Sequence, residues 1–503
     1  MRTLPAVVAF TWAAQLAGAQ TLAARLARQV PAAIEASPAA RSAFWGIEIF
    51  DLARGRIVYA HDDTHLFVPA SNAKLFTAAL ALDRLGPDYR FVTRVLSATA
   101  PDSDGVIHGP VRLVGGGDPN LSARAAPYQA PNPIKPGGAA LDPLIRLEGL
   151  ADQVAAHGVK RIAGDIVGDD SWYVWEPYPE GWAVDDLQYD YGAPVSALTI
   201  NDNTITLGMQ PGAQPGELAR LSLVPALEFY QIDNRIETVA ARGERKIRIG
   251  REPGSKQLRV WGSLPVDGPG EAADLAIDDP AEYAALALRR ALENRGIVVT
   301  GGVRARHLYP GEAAAETAGD PFELARHDSA PLIDDLGITA KVSQNLHAEL
   351  ALRAVGRARR GVGSREAGLE EMKDFLRQVG IAEDAYSFRD GSGLDRADLV
   401  TPRAIVALLR YMYESPNRQS WIGLLPIGGE DGTLARRFAD GPAAGRIHAK
   451  TGSLARVASL SGYAQRRDGS WVAFSILANN FNAPAASIRG VIDRICTLIL
   501  KED

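Results

Sequence analysis

Val68-Pro69-Ala70-Ser71-Asn72-Ala73-Lys74-Leu75-Phe76-Thr77 is the stretch on which the reading of this chain turns. Pro69 sets an extended approach, and Leu75, Ala78, Ala79, Leu82 and Leu85 recur at helical spacing until Gly86-Pro87 ends the run. The spacing predicts a helix with Ser71 at its N-terminus and Lys74 one turn further along the same face. A serine hydroxyl is a poor nucleophile until a base takes its proton, and a lysine amine within reach can be that base if burial lowers its pKa. The positive end of the helix dipole would also favour negative charge on an attacked carbonyl. Taken alone, a serine at an N-cap with lysine one turn later is ordinary helix chemistry. Two further stretches bear on the choice.

Ser343-Gln344-Asn345 follows Ile338 to Val342, and Leu346, Leu350 and Leu352 continue as a helix. Such a triplet offers a second hydroxyl to pass a proton between base and leaving group, beside an amide that orients lysine and substrate. Lys450-Thr451-Gly452-Ser453 comes just before an expected strand, Val457 to Tyr463. A strand edge opening with lysine and hydroxyls suits an extended substrate that ends in a carboxylate and pairs by strand addition. Gly452 would let the backbones approach closely. Alone, the tripeptide Lys450-Thr451-Gly452 reads as readily as a turn.

At 503 residues the chain calls for two or three domains. Its 46% hydrophobic and 23% charged residues are globular values, and a net charge of −6 with no basic stripe argues against a nucleic-acid partner. The one cysteine, Cys496, excludes an intramolecular disulfide. It falls among Ile488, Val491, Ile492, Ile495 and Ile499 on one face of a closing helix, as a buried structural thiol does. The histidines show no His-Glu-x-x-His pattern, so neither metal nor other cofactor is expected. There is no Gly-x-Ser-x-Gly elbow, and His347 and His448 read as packing or surface residues rather than triad members.

Residues 1–19 read as an export signal: Arg2, a mostly apolar run from Leu4 to Leu16, then the small residues Ala17-Gly18-Ala19. No later run is apolar enough to span a bilayer, so a soluble exported protein, periplasmic or otherwise extracytoplasmic, is expected. Leu22, Leu26, Val30 and Ile34 fit a helix, and Phe44 to Phe50 with Ile57 to Tyr59 fit a strand pair. Val457 to Tyr463, Trp471 to Leu477 and a helix from about Ser487 mirror them at the other end. These elements predict one antiparallel sheet completed by both ends of the chain. Residues 20–90 and 326–503 would form it, and 91–325 would be an insertion.

Within the insertion a helix, a glycine and a strand occur twice, Leu150 to Val167 through Gly158 and Leu288 to Val299 through Gly296. Between the copies, Leu198 to Leu207, Arg235 to Val239, Lys246 to Ile249 and Leu258 to Trp261 read as short strands of a nested module at about 200–263. Trp172, Tyr173, Trp175, Tyr178, Trp182, Tyr189 and Tyr191 either wall a substrate cleft or join two domains.

The order Ser-x-x-Lys, Ser-x-Asn, Lys-Thr-Gly is that of penicillin-binding proteins and β-lactamases. The chain resembles the low-molecular-mass class C penicillin-binding proteins, the serine D-alanyl-D-alanine carboxypeptidase/endopeptidases. Ser71 and Ser343 stand 272 positions apart, matching the long insertion typical of that family. Similar blocks occur at Gly115-Gly116-Gly117-Asp118-Pro119, Gly164 to Gly168, Tyr191 to Leu198, Asp390-Gly391-Ser392-Gly393-Leu394, Gly432-Thr433-Leu434 and Ala449 to Leu454. The resemblance implies an α+β fold, an antiparallel sheet flanked by helices with a large inserted domain carrying a smaller nested module. It implies Ser71 as nucleophile, Lys74 as base, Ser343 as proton relay and Asn345 as the positioning amide. Lys450 would supply positive charge, Thr451 and Ser453 would hold a terminal carboxylate, and the Ser71 and Ser453 amides would form the oxyanion hole. Ser453 stands where many relatives carry threonine. Substrates would be peptidoglycan stem peptides, and β-lactams covalent inhibitors. Two rivals share these motifs: a β-lactamase, which needs a further base for hydrolysis, and a non-catalytic wall-binding protein, which would not need Ser71 and Lys74.

Overall fold

The computed structural model describes residues 21–130, 142–312 and 321–501, so the expected export signal at 1–19 lies outside the described residues. The fold is α+β. A five-stranded antiparallel sheet runs in the order Ile447–Leu454, Val457–Gln465, Trp471–Asn479, Phe44–Asp51, Arg56–His61. Phe44–Asp51 pairs with Trp471–Asn479 along its whole length, from Phe44 opposite Asn479 to Asp51 opposite Val472. Both ends of the chain thus complete one sheet. The interior strands are buried on both faces, which is why their sequences run apolar instead of alternating.

One face is covered by the terminal helices Leu22–Glu35 and Ala485–Leu500, whose Leu26, Val30, Ile488, Ile492 and Ile495 share a core with Ile47 and Ile476. Cys496 is buried there. The other face carries a helical layer that includes Ala73–Leu85, Leu332–Lys341, Asn345–Arg360, Arg365–Val379 and Pro402–Glu414. Ala73–Leu85 is buried all round from Ala73 to Leu82, so it runs through the middle of this layer instead of along its surface.

The chain leaves this body on Val92–Ser97 and returns on Phe322–Asp328, and these two strands pair antiparallel. They form one side of a second five-stranded sheet with Val111–Val114, Ile166–Val174 and Val303–Leu308. The internal repeat appears as two adjacent copies. Ile145–Ala156 turns at Gly158 (φ 77°) and Pro280–Glu293 at Gly296 (φ 78°). The strands that follow pair in parallel, Arg161 with Val298 and Ile166 with Val303. Leu147 and Leu150 pack with Leu288 and Leu292 in one core. A positive φ at each turn requires glycine.

Two three-stranded sheets lie between the copies. The strand expected over Leu198 to Leu207 begins only at Thr204 and runs to Gln210. Residues 201–203 form a tight turn with φ of 48°, 56° and 55° at Asn201, Asp202 and Asn203. Asn and Asp tolerate that left-handed backbone where apolar residues do not. Two strands went unanticipated, Arg220–Val224 and Glu271–Ala276. Both pair with Thr204–Gln210, so strand pairing continues past residue 263.

The aromatic stretch serves both expected purposes, at different residues. Tyr173 is buried in the core of the helical layer, and a side chain on Gly117 or Gly363 would strike its ring. Trp175 stacks on His307 at 4.0 Å. Tyr191 instead reaches the cleft beside Ser71. No helix among the described residues is long and apolar enough to cross a membrane.

Candidate active site

Ser71 sits in a one-turn 3-10 segment, Ala70–Asn72, that leads into Ala73–Leu85. This turn is clamped onto the first sheet. Asn479 Oδ1 accepts from the Val68 amide at 2.8 Å, Ser459 Oγ donates to the Pro69 carbonyl at 2.8 Å, and Asn72 Nδ2 donates to the Lys450 carbonyl at 2.9 Å. The nucleophile candidate is thus placed by strands far along the chain.

Lys74 is buried, and its Nζ donates to Ser71 Oγ at 2.9 Å, Asn345 Oδ1 at 2.6 Å and the Ser392 carbonyl at 2.6 Å. Those three acceptors use the three donors of an ammonium. Burial lowers its pKa to about 8, against the charges of Asp390, Glu349 and Asp398, which raise it. The amine can therefore lose its proton near neutral pH while remaining bonded to the serine.

None of the three motifs contains those carboxylates. Asp390 Oδ1 accepts from the amides of Ser392 at 3.0 Å and Gly393 at 2.6 Å, and Oδ2 from Trp182 Nε1 at 2.9 Å and the Asp395 amide at 2.8 Å. Glu349 Oε1 accepts from the Gly391 amide at 2.7 Å, and Oε2 from Arg353 at 3.0 Å. Together they hold the loop that presents the Ser392 carbonyl to Lys74. Burial favours the neutral form of Asp390, but hydrogen bonds from Asp398, Trp182 and backbone amides hold its pKa below the usual carboxylate range. Burial and the Asp390 charge push Asp398 well up. The signal available was Asp390-Gly391-Ser392-Gly393 itself, an acidic residue heading a glycine turn whose amides it can cap.

Ser343 occupies the break between Leu332–Lys341 and Asn345–Arg360, with φ 70°. Its Oγ accepts from Lys450 Nζ at 2.7 Å. Asn345 Nδ2 donates to the Tyr191 carbonyl at 2.8 Å, which fixes its Oδ1 toward Lys74. Gln344 Nε2 donates to Asp202 Oδ2 at 2.9 Å, while Asp202 Oδ1 meets His347 Nε2 at 3.0 Å and Asp335 meets His347 Nδ1 at 2.8 Å. Arg124 also pairs with Asp202. His347 is fully buried; burial favours its neutral form, yet Asp335 and Asp202 raise its pKa to about 9. Through their bonds to Asp202, His347 and Gln344 tie the Ser343 turn to residue 202. Burial lowers the pKa of His448, whose ring lies against Trp471 at 5.3 Å.

The third motif lies inside a strand of its own, Ile447–Leu454, at the edge of the sheet, with Lys450 opposite Ser461 and Gly452 opposite Ser459. Gly452 interrupts its β-forming pattern, which hid the strand from sequence. Lys450 is buried, and burial with the Lys74 charge lowers its pKa well below the usual lysine value. Thr451 Oγ1 donates to Thr433 Oγ1 at 2.8 Å. Ser453 lines a cleft of about 460 Å³ with Ser71, Ser343 and Asn345. Tyr191, Asp185, Asp186 and Arg396 form other parts of its wall. All eight residues singled out from sequence thus belong to one neighbourhood built by the helix start, the helix break and the edge strand. Among the described residues no cluster of His, Cys, Asp or Glu has metal-holding geometry.

A Cβ on Gly452 would lie 2.2 Å from Ser459 Oγ, 2.6 Å from the Pro69 carbonyl and 3.1 Å from the Ser71 amide. Gly452→Ala should therefore push the edge strand off the Ser71 turn and, if Ser71 is the residue acylated by a β-lactam, slow that reaction by about 10²-fold, since misplacement by about 1 Å costs that much. Acylation kinetics of the folded variant check this; an unchanged rate would mean that the Ser71 turn does not depend on the close approach.

Residues 26–497 match the model of the D-Ala-D-Ala carboxypeptidase 3 (S13) family. Among curated relatives, a D-alanyl-D-alanine carboxypeptidase of Actinomadura sp. (strain R39) is 36% identical over 464 residues, covering 90% of this chain and 81% of the relative. The D-alanyl-D-alanine carboxypeptidase DacB of Haemophilus influenzae is 26% identical over 436 residues, 86% of this chain and 84% of the relative. Among solved structures, penicillin binding protein 4 (dacB) of Haemophilus influenzae superposes with a TM-score of 0.78 at 24% identity, covering 93% of this chain and 97% of that one. A second structure of that protein, complexed with a β-lactam, gives 0.75 at 23% identity over 94% and 99% of the two chains.

Proposed function

Because this chain belongs to the D-Ala-D-Ala carboxypeptidase 3 (S13) family, as a low-molecular-mass class C penicillin-binding protein, we propose that Ser71 cleaves peptidoglycan stem peptides through an acyl-enzyme. The observation that carries the proposal is the contact of buried Lys74 Nζ with Ser71 Oγ at 2.9 Å. In this reading neutral Lys74 takes the Ser71 proton as Oγ attacks the carbonyl between the two terminal D-alanines. The Ser71 and Ser453 amides stabilise the oxyanion. The proton leaves through Ser343 to the departing amine, and the peptide bond breaks as the ester forms. Water then attacks the ester, returning the proton to Ser71 and releasing the shortened peptide. Asn345 holds Lys74 at 2.6 Å while its own amide is tied to Tyr191.

A penicillin would be attacked in the same way and leave a stable ester on Ser71. Cross-bridges between two stems would be cut by the same steps, making the protein an endopeptidase as well. It would act outside the cytoplasm, where peptidoglycan lies, and residues 1–19 would be its export signal. Incubation with labelled penicillin followed by peptide mapping tests the mechanism; an adduct on any other serine would sink it.

The carboxylate role assigned to Lys450, Thr451 and Ser453 makes a separate prediction. Lys450→Ala should slow hydrolysis of peptides with a free terminal D-alanine by about 10- to 100-fold more than that of matched C-terminal amides, in keeping with loss of a charge-assisted hydrogen bond. Paired kcat/KM values read it. Equal losses on both substrates would show that Lys450 acts on Ser343, to which it donates at 2.7 Å, and not on the substrate's carboxylate.

A further inference from the structure

One of the two nested sheets has an outer face that the catalytic cleft does not use. Its central strand is Gln257–Pro265, flanked by Gln231–Val239 in parallel and Lys246–Gly250 antiparallel. Leu258, Val260, Leu264 and Ile236 point to the core, so the alternate residues face outward. Trp261 stands at the middle of that face, 38% exposed, with Arg235 and Arg248 as its partners on the two neighbouring strands. Among the described residues no ring or cation stacks on Trp261, although two arginines are adjacent in register.

The surroundings of the ring are built in a consistent way. Gly250 lies opposite Arg259, and a Cβ there would come within 3.3 Å of the Trp261 ring. Gly250 lines a hollow of about 500 Å³ beside the ring, with Trp261, Arg259, Arg251, Asp233, Glu252 and Gln257 also in its wall. Asp233 carries an ion pair to Arg235 and another to Arg259, each at 3.0 Å. Arg248 and Lys246 are exposed and have no ion-pair partner among the described residues. On the strands of this face Lys246, Arg248, Arg235 and Arg259 outnumber Asp233 and Glu237, and Arg251 and Glu252 add one charge of each sign at the hollow, in a chain whose net charge is −6.

An open aromatic ring beside planar amide, guanidinium and carboxylate groups suits a sugar ring. The apolar face of the sugar stacks on the indole, and its hydroxyls meet the fixed donors and acceptors. The unpaired cations add a preference for a polysaccharide that carries carboxylates. We propose that this face binds the glycan strand of the wall polymer, holding the enzyme on the polymer while the cleft works on its peptides. The choice of polymer rests on the function proposed above.

The test is co-sedimentation of the full-length protein with purified peptidoglycan and with the same glycan stripped of its stem peptides by an amidase. Binding should survive the stripping. Trp261→Ala should weaken it about tenfold, and Arg248→Glu, at an exposed position that cannot upset the core, about threefold. Both variants should hydrolyse a short soluble D-Ala-D-Ala peptide at the wild-type rate. Wild-type sedimentation by both variants, or binding lost with the stem peptides, would overturn the proposal. Glycan binding that depends on Trp261 in a protein unable to hydrolyse the short peptide would support the site and refute the proposed catalytic function instead.

Discussion

Ser71→Ala should abolish covalent labelling by penicillin and reduce peptidase activity by on the order of 10³ to 10⁶, the range for losing a nucleophile that acts in concert with its base. The loss should be this large because no neighbouring hydroxyl can substitute. Lys74 Nζ is committed to Ser71, Asn345 and the Ser392 carbonyl, while Ser343 is bonded to the other lysine. The fold should survive the change. Ser71 is only part-buried, and the turn around it is held through Val68, Pro69 and Asn72 instead of through its own side chain. The measurement is gel fluorescence of a labelled penicillin with mapping of the adduct, beside circular dichroism. Labelling of a folded Ser71→Ala protein at the wild-type rate would end the assignment.

Lys74→Arg should be nearly as damaging, lowering the acylation rate by on the order of 10² to 10⁴, the contribution typical of general-base catalysis. Arginine keeps the charge but cannot give up its proton in a protein. The pH dependence supplies the discriminating evidence. A lysine with its pKa lowered to about 8 is mostly protonated below pH 8 and mostly free amine above it. Acylation of wild type should therefore rise as pH rises through about 8, and the residual rate of the variant should lack that limb. Burial lowers this pKa, while Asp390, Glu349 and Asp398 oppose it, so the midpoint reflects that balance. Rates from pH 6 to 10 with a β-lactam, on protein checked for folding, decide the matter. Near-normal acylation by Lys74→Arg would leave Lys74 an electrostatic role only.

The parts of this site that were legible in sequence are those whose chemistry requires a particular side chain. Ser71 and Lys74 are tied by a fixed helical interval, and Asn345 and Lys450 by the motif each stands in. What stayed hidden runs through backbone. The Ser392 carbonyl on Lys74 could not be found, because any residue supplies a carbonyl and only the loop's path aims this one. Asp202 was hidden for a related reason. Leu198 and Ile200 before it and Ile205 and Leu207 after it alternate as a strand does, which masks the Asn201-Asp202-Asn203 turn that brings Asp202 to Gln344 and His347. The edge strand through Lys450 escaped because Gly452 weakens its β pattern, and that glycine is required by the close approach to Pro69 and Ser71. The repeat, by contrast, was visible, since a helix ending in a left-handed glycine leaves the same mark at Gly158 and Gly296.

The pairing of the first strand with the last has a consequence for the order of events in the life of the chain. Phe44–Asp51 lies against Trp471–Asn479, and Val68 is fastened by Asn479. Bringing such distant segments together is slow, because loop closure precedes any reward from the contact. During synthesis the serine emerges early and its clamp emerges last, so the turn that carries Ser71 is without its Asn479 contact for most of the making of the chain. Labelled penicillin added to released chains truncated at successive lengths should mark only those that extend past residue 479. Under the function proposed above, the site thus carries a built-in delay, and the serine waits for the final strand before it can react.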